Sequence, residues 1–333
     1  MPRVSVVLPV RDAADHLEAC LASLAAQTLA DHEVIAVDDG SVDASPGILA
    51  SFGDERLRVV TQRRLGLVAA LNAGLAVARS DLVARMDADD VAHPERLEIQ
   101  AERLSNDPAI DVLASRVRLI GGVPGGNTGM QAYVAWSNAL LDHRAIVSDI
   151  FVESPLVHPS VTARAGLLRA LGGYRDPDGP EDYDLWLRAL ASGAHFAKTP
   201  EVLLDWRDRP ERLTRTDPRY GLARFRERKL EALLELLLPE GRSVVVWGAG
   251  PIGKEWARSL AGKGRRVAAF VDVDPRKIGQ TIHGAPVVSV GAVAGLAPAL
   301  HLAAVGDPDA RRRIRRAAAE LGLADGRDLV AVA

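Results

Sequence analysis

Residues 82–94 read Leu-Val-Ala-Arg-Met-Asp-Ala-Asp-Asp-Val-Ala-His-Pro, and the break inside that run decides how the first half of the chain folds. Leu82–Met86 is a short, largely apolar run, as expected of a strand covered on both faces. It stops at Asp87-Ala88-Asp89-Asp90, and a helical pattern starts near His93-Pro94. The same alternation occurs upstream. Val4–Pro9 is a continuous apolar run, and the helix after it repeats Leu17, Leu21 and Leu24 on one face, with Asp15 as the expected cap. Glu33–Val37 is a second strand ending in Asp38-Asp39-Gly40-Ser41; Leu57–Val60 is a third, followed by a helix through Ala69–Ala78. Strands alternating with helices predict a doubly wound α/β sheet, whose ligands bind at the carboxyl ends of the strands. Both acidic clusters lie at such ends.

Downstream, five glycines in the nine residues Gly121–Gly129 read as a hairpin tip or loop, and residues 132–151 read as helical. Ser154–Ser160 is irregular, because Pro159 lacks a donor and restricts His158. Glu181-Asp182-Tyr183-Asp184 opens a helix over Leu185–Leu190. Residues 206–229 are rich in arginine, Leu222–Leu238 is an amphipathic helix, and Pro239-Glu240-Gly241 is a natural boundary. A length of 333 residues exceeds what one core usually serves. The expected division is a first α/β domain over 1–220, a helical linker over 221–241 and a second, smaller α/β domain over 242–333.

Hydrophobic residues make up 48% of the chain and charged residues 26%, a globular mix. A net charge of −3 argues against a general nucleic-acid binder. The single cysteine, Cys20, excludes an internal disulfide and a thiolate metal cage, and its apolar helical setting predicts a small buried hydrophobe. The amino-terminal apolar run is too short for a signal peptide, and no stretch reaches the ~18 apolar residues of a spanning helix. These features predict a cytoplasmic protein, at most peripheral at the inner face of a membrane.

Paired carboxylates at a strand end suit a particular chemistry. Alternate residues of an extended segment point the same way, so Asp87 and Asp89 can serve one hard cation such as Mg²⁺ or Mn²⁺. Such a cation neutralises charge on a leaving diphosphate. The same residues also suit an Asp-rich turn capping the next helix. Asp38 and Asp39 can accept from a base N–H or a ribose hydroxyl, or shape a strand-to-helix turn with Asp43 or Ser45 as cap. Glu181-Asp182 at a helix start offers an ionised proton acceptor, or simple capping.

Taken together, these segments resemble glycosyltransferase family 2, whose catalytic domain has the GT-A fold. The matching stretches are Val4–Val10 with Leu21–Thr28, Val37–Ser41, Gly66 with Leu71–Gly74, Arg85–Asp90 with His93–Leu97, His158–Val161, and Gly172–Tyr174 with Glu181–Trp186. They fall in family order over about residues 3–207. The resemblance implies a metal-dependent, inverting transfer of sugar from a nucleotide-diphosphate donor to an acceptor hydroxyl, in surface-polysaccharide or lipid-linked glycan assembly. It implies that Pro9, Arg11, Asp38 and Asp39 line the nucleoside pocket, with Arg11 replacing the aromatic or Asn many members carry. Gly66, Asn72 and Arg85 would lie along the donor, Asp87 at the ribose or sugar, and Asp89, with Asp87, at the metal. Asp182 would be the base, Glu181 its neighbour near donor sugar or acceptor, and His158 near the acceptor or a loop anchor. Where relatives often place a histidine on the diphosphate, Trp206–Thr216 has none. Arg207, Arg209 or Arg215 would grip the diphosphate instead, and the same basic face suits anionic lipid or a lipid-phosphate acceptor.

The second domain opens with Val244–Gly253, a G-x-G-x-x-G between a predicted strand and a predicted helix. Gly248, Gly250 and Gly253 allow a tight turn and close approach of a pyrophosphate, and Asp272 ends the next strand about twenty residues on, where it can accept from a ribose. This predicts a Rossmann-like module for a nucleotide or dinucleotide, or a packing or homo-oligomerisation domain. The competing functions are a non-catalytic sugar-nucleotide-binding protein, an NAD(P)-linked oxidoreductase centred on residues 243–333 (which lack a Tyr-x-x-x-Lys pair) and a sugar nucleotidyltransferase, which would want a glycine-rich loop where Arg11-Asp12-Ala13 stands.

Overall fold

The computed structural model describes residues 1–122, 128–175 and 178–333, so residues 123–127 of the glycine run lie outside the description. The chain divides into two compact units, 1–146 with 155–221, and 147–154 with 222–333. The amphipathic helix expected as a linker clusters with the second unit, as does the short segment 147–154.

The first unit is built on an eight-stranded sheet: β1 (Val4–Val10), β2 (His32–Asp39), β3 (Leu57–Gln62), β4 (Leu82–Arg85), β5 (Val91–Ala92), β6 (Val112–Gly121), β7 (Thr162–Arg164) and β8 (Phe196–Asp208), in the order β3-β2-β1-β4-β7-β6-β8-β5. β1 to β4 are mutually parallel, β7 runs antiparallel between β4 and β6, and β8 is parallel to β6. The strand order reverses beside β1, between β2 and β4, which is where ligands bind in such sheets. Helices α1 (Ala14–Ala25), α2 (Ser45–Ser51), α3 (Leu67–Val77), α4 (Arg96–Asn106), α5 (Thr128–Ala139), α6 (His143–Asp149), α7 (Ala165–Ala170), α8 (Glu181–Ala191) and the short α9 (Leu213–Thr216) complete the order, and α6 runs across the division between the units. The helical stretch expected over 132–151 is thus two helices, not one.

One core explains the leucine spacing. Val4, Val6, Leu8 and Val10 point to the face where Leu17, Cys20, Leu21 and Leu24 of α1 pack, all at most 1% exposed. On the other face Gly74 lets α3 approach, since a Cβ there would meet Val7 Cγ1 at 2.5 Å. Asp15 lies inside α1 and does not cap it. The amides at that helix start are taken by the loop after β2 and the first residue of α2: Ala14 N donates to Asp43 Oδ2 (2.9 Å) and Ala13 N to Ser45 Oγ (2.9 Å). β8 has no apolar alternation to announce it. Its Pro200 falls where the β6–β8 register shifts around Ser115 and Arg116, so the missing donor sits outside the ladder.

The second unit carries β9 (Ser243–Trp247), β10 (Val267–Val271), β11 (Thr281–Ile282), β12 (Ala285–Val288), β13 (Ala299–Ala303) and β14 (Leu329–Ala331), ordered β11-β12-β10-β9-β13-β14. Apart from the antiparallel β11, the sheet is parallel and doubly wound about β9. Helices α10 (Leu222–Leu236), α11 (Pro251–Gly262) and α12 (Pro308–Glu320) accompany it, and Val245, Trp247, Val271 and Ala303 lie in its core. Among the described residues no helix is long and apolar enough to cross a membrane.

Candidate active site

β4 delivers the acidic run to the sheet's reversal point. Asp87, Asp89 and Asp90 each bring a carboxylate oxygen within 4.8 Å of the other two, the spacing of groups that share one cation. Asp90 is 1% exposed; its Oδ1 accepts from the Arg207 amide (2.7 Å), while its Oδ2 is buried without a partner. Burial, then the charges of Asp87 and Asp89, push its carboxyl well above the usual range. Asp89 shifts the same way, through burial and Asp87. Three crowded carboxylates with one orphaned oxygen form an oxygen-donor set that fits a hard divalent cation.

The turn is held by groups of the matching His93–Leu97 stretch to which the sequence assigned no role. Arg96, fully buried, donates from Nη2 to the carbonyl of Arg85 (2.7 Å) and from Nε to Gln100 Oε1 (3.3 Å). Burial lowers its pKa to about 10 against the opposing pull of Asp90. His93 Nε2 lies 3.0 Å from Asp205 Oδ1, an oxygen that also accepts from Arg118 (2.8 Å). The His-Pro-Glu-Arg stretch is therefore the floor of the acidic turn. Cys20 behaves as the sequence predicts: it is buried, its thiol meets the Asp87 carbonyl at 3.3 Å, and burial next to these aspartates pushes its pKa up.

The arginine-rich segment closes over the same turn. Arg209 Nε pairs with Asp89 Oδ2 at 2.8 Å, Arg207 Nε donates to the Asp89 carbonyl (2.8 Å), and Arg215 pairs with Asp208 (2.7 Å). The Arg212 guanidinium stacks 3.9 Å over the Trp206 ring. Arg207 thus anchors the turn through both its amide and its Nε, while Arg209 neutralises a candidate metal ligand.

At the carboxyl end of β1, Pro9 stands opposite Val37, one pair before the β1–β2 ladder ends at Val10 and Asp38. Asp39 is buried, and its carboxylate accepts from Gln62 Nε2 (2.6 Å), Leu65 N (2.7 Å) and Gly66 N (2.9 Å), with Arg11 Nη1 at 3.8 Å. Asp38 accepts from the Ser41 amide (3.0 Å). Both aspartates shape loops, and Asp39 does so across more than twenty residues. Gly66 has φ +95°, which a side chain rarely adopts, and open space where a Cβ would project. Asn72 faces neither loop: its side chain bonds the Tyr174 amide (2.9 Å) and carbonyl (2.8 Å).

That clamp holds Tyr174 in the field of Arg85. Arg85, 5% exposed, spans the space: its Nη2 pairs with Asp87 Oδ1 at 2.6 Å, and its Nε and Nη1 are buried without partners. Burial opposes its charge, but Asp87, Tyr174 and Glu181 outweigh that penalty. His158, also buried, meets the Tyr174 hydroxyl at 2.8 Å and stands edge-on to Trp186. Burial, and next Arg85, hold it neutral, well below the ordinary histidine pKa. Glu181 opens α8, 6% exposed, and burial raises its pKa against a 2.5 Å hydrogen bond from the Tyr220 hydroxyl. Asp182 follows, half-buried, accepting from the Tyr183 amide at 2.7 Å. Tyr174 lies in the field of Glu181, Asp182 and Asp87 at once. The structure brings the carboxylates of β4's end and of α8's first turn to one buried guanidinium.

In the second unit Gly253 is required by packing, since a Cβ there would sit 1.9 Å from the Gly248 carbonyl oxygen. Gly248 adopts φ +104°, whereas a Cβ on Gly250 would meet nothing within 4 Å. Asp272 accepts from the Ala249 amide (2.8 Å) and pairs with Lys277 (3.0 Å), tying the turn to the end of β10.

Comparison with known proteins adds to this geometry. The family model described as glycosyl transferase family 2 matches residues 5–155, and one described as CoA binding domain matches residues 240–320. An amylovoran biosynthesis glycosyltransferase of Erwinia amylovora, AmsE, is 32% identical over 204 residues, 60% of this chain and 74% of that protein. A UDP-Gal:α-D-GlcNAc-diphosphoundecaprenol β-1,3-galactosyltransferase of Escherichia coli is 30% identical over 211 residues, 62% and 74% of the two chains. Among solved structures, S. aureus TarS in complex with UDP-GlcNAc superposes with TM-score 0.57 at 20% identity, over 72% of this chain and 68% of that one. The mannosyltransferase PcManGT from Pyrobaculum calidifontis, in complex with GDP-Man and Mn²⁺, gives TM-score 0.51 at 22% identity, over 70% of this chain and 62% of that one. These two likenesses show the GT-A fold.

Proposed function

The chain belongs to glycosyltransferase family 2, and from that premise we propose that it transfers a sugar, with inversion, from a nucleotide-diphosphate donor to the hydroxyl of a glycan or lipid-linked acceptor. One observation carries this reading: the buried Arg85 pairs with Asp87 at 2.6 Å and also lies in the field of Glu181, so the carboxylates assigned here to donor and acceptor act on one guanidinium. Asp182 takes the proton of the acceptor hydroxyl as its oxygen attacks the anomeric carbon. The bond to the diphosphate breaks on the opposite face, and the leaving group keeps the electron pair. Asp87, Asp89 and Asp90 would hold Mg²⁺ or Mn²⁺, which when bound neutralises charge developing on the diphosphate. Arg209 and Arg212, within reach of the same aspartates, are the side chains placed to meet the diphosphate. The relatives' names favour bacterial polysaccharide or undecaprenyl-linked glycan assembly, which suits a site on the cytoplasmic face of a membrane.

Residues 1–220 form the transferase part in this reading, and 242–333 a Rossmann-like module whose Gly250 side is open to a nucleotide or coenzyme phosphate. Calorimetry with UDP-galactose, UDP-GlcNAc and GDP-mannose, with and without Mn²⁺, tests the donor assignment; binding of none sinks it. With the donor so identified, Asp182→Asn should lower kcat for nucleotide release by about 10²–10⁴-fold while the donor Kd stays within twofold. Undiminished turnover in that variant removes Asp182 as the base. A parent protein that binds donor but never turns it over is instead a sugar-nucleotide-binding protein.

A further inference from the structure

Tyr220 lies outside every segment that carries the family resemblance, yet its hydroxyl donates to Glu181 Oε2 at 2.5 Å, across 39 residues. It ends a single 3₁₀ turn, Pro218–Tyr220, at the last residues of the first unit. That turn is preset. Asp217 accepts from the Arg219 amide (2.9 Å) and pairs with the Arg219 guanidinium (2.7 Å), so the backbone delivering the phenol is braced before Glu181 is met. Glu181 needs such a partner. It is buried at the start of α8, with the repelling charge of Asp87 on one side and the attracting charge of Arg85 on the other. A short hydrogen bond to a carboxylate is about twice as strong as one between neutral groups, and it fixes the acceptor's orientation.

We propose that Tyr220 is a positioning residue for the Glu181–Asp182 pair: its phenol pins one oxygen of Glu181 and so sets how that carboxylate stands beside the base. The inference rests on the reading that this pair faces the acceptor. Without the phenol, Glu181 keeps its own backbone amide and Arg85 against burial and Asp87. The groups facing it are then Arg85 and Asp87 from the end of β4, Tyr174 from the clamped loop and Asp182 from its own helix.

The test is Tyr220→Phe in the full chain, which keeps the ring. Nucleotide release from the donor should fall by about tenfold to a hundredfold at neutral pH, with donor Kd unchanged. The acid limb of the kcat profile should move to higher pH, so the deficit narrows at alkaline pH. Carbon-13 NMR of labelled glutamate in the metal-free protein should show the Glu181 pKa raised further in the variant, because the hydrogen bond that lowers it is gone, whatever the donor. Glu181→Gln completes a cycle: if Tyr220 acts through Glu181, Tyr220→Phe has little further effect in that background. Full additivity, or a loss equal at every pH and matched by a lower melting temperature, overturns the proposal. Undiminished turnover of Asp182→Asn, by contrast, removes the reading of the site itself.

Discussion

Asn72 illustrates how a residue can matter to a donor site without touching a donor. Its amide bonds both the N–H and the C=O of Tyr174, 102 residues away, and Gly173 is glycine because a Cβ there would sit 2.5 Å from Asn72 Oδ1 at φ +70°. Tyr174 in turn holds His158 and lies in the field of Arg85. Asn72→Ala removes both bonds and strands a Tyr174 amide, a cost of about 1–3 kcal/mol. The expected result in urea unfolding is a lower midpoint at unchanged slope, together with weaker donor binding. A variant of unaltered stability means that water replaces the clamp. Asp90 follows the same logic: its Oδ2 is left unpaired in the interior, and Arg96 compensates from beneath. An unpartnered carboxylate oxygen in the interior is costly, and a divalent cation at this turn, as proposed above, would supply the missing partner.

Strand ends meet helix starts at tight turns in both units, and small residues let them approach. In the second unit the turn from β9 into α11 closes because Gly253 lies against the Gly248 carbonyl. Gly253→Ala puts a Cβ 1.9 Å from the Gly248 carbonyl oxygen, a clash with backbone that no rotamer relieves, and should destabilise by about 3 kcal/mol. Gly250→Ala, in open space at φ −89°, should fold normally. If a nucleotide or coenzyme phosphate approaches that turn, Gly250→Ala weakens its binding in calorimetry with NADH, ATP or coenzyme A while the melting temperature holds. Equal melting temperatures for the two variants would show that the turn yields at Gly253 and that packing does not require glycine there. In the first unit a helix takes its caps from other elements: α1 uses Asp43 from the loop after β2 and Ser45 from the start of α2, which ties the two crossovers together.

Stability as a function of pH follows from the buried histidines. His158 and His32 in the first unit and His301 in the second are all held below the ordinary histidine pKa, burial being the largest cause in each. The unfolded chain takes up these protons near pH 6.5, and the folded chain does so only at lower pH. Their contribution is therefore complete above about pH 6.5 and is lost as the pH falls through the folded-state values. His158→Gln should flatten the fall in unfolding free energy between about pH 7 and 5. A variant with the parent's slope assigns the acid sensitivity to other groups. The carboxyls of Asp89, Asp90 and Glu181 act in the opposite direction, because their raised values make the folded state the stronger proton binder.

Local periodicity sufficed for the alternating strands and helices of both units, for the acidic clusters at strand ends and for the burial of Cys20, because each depends on neighbours a few residues apart. Six short motifs in order were enough to point to the family. What lay beyond reading was the long, proline-interrupted β8, the caps borrowed from other elements, and the partners of the charged residues: Arg209 on Asp89, Arg96 under Arg85, Asn72 on Tyr174, Tyr220 on Glu181. A hydrogen bond between residues far apart in the chain leaves no period, and a side chain's residue type says what it can bond but not to whom. Only when the sheet sets the carboxyl ends of β1 and β4 side by side do those partners come within reach.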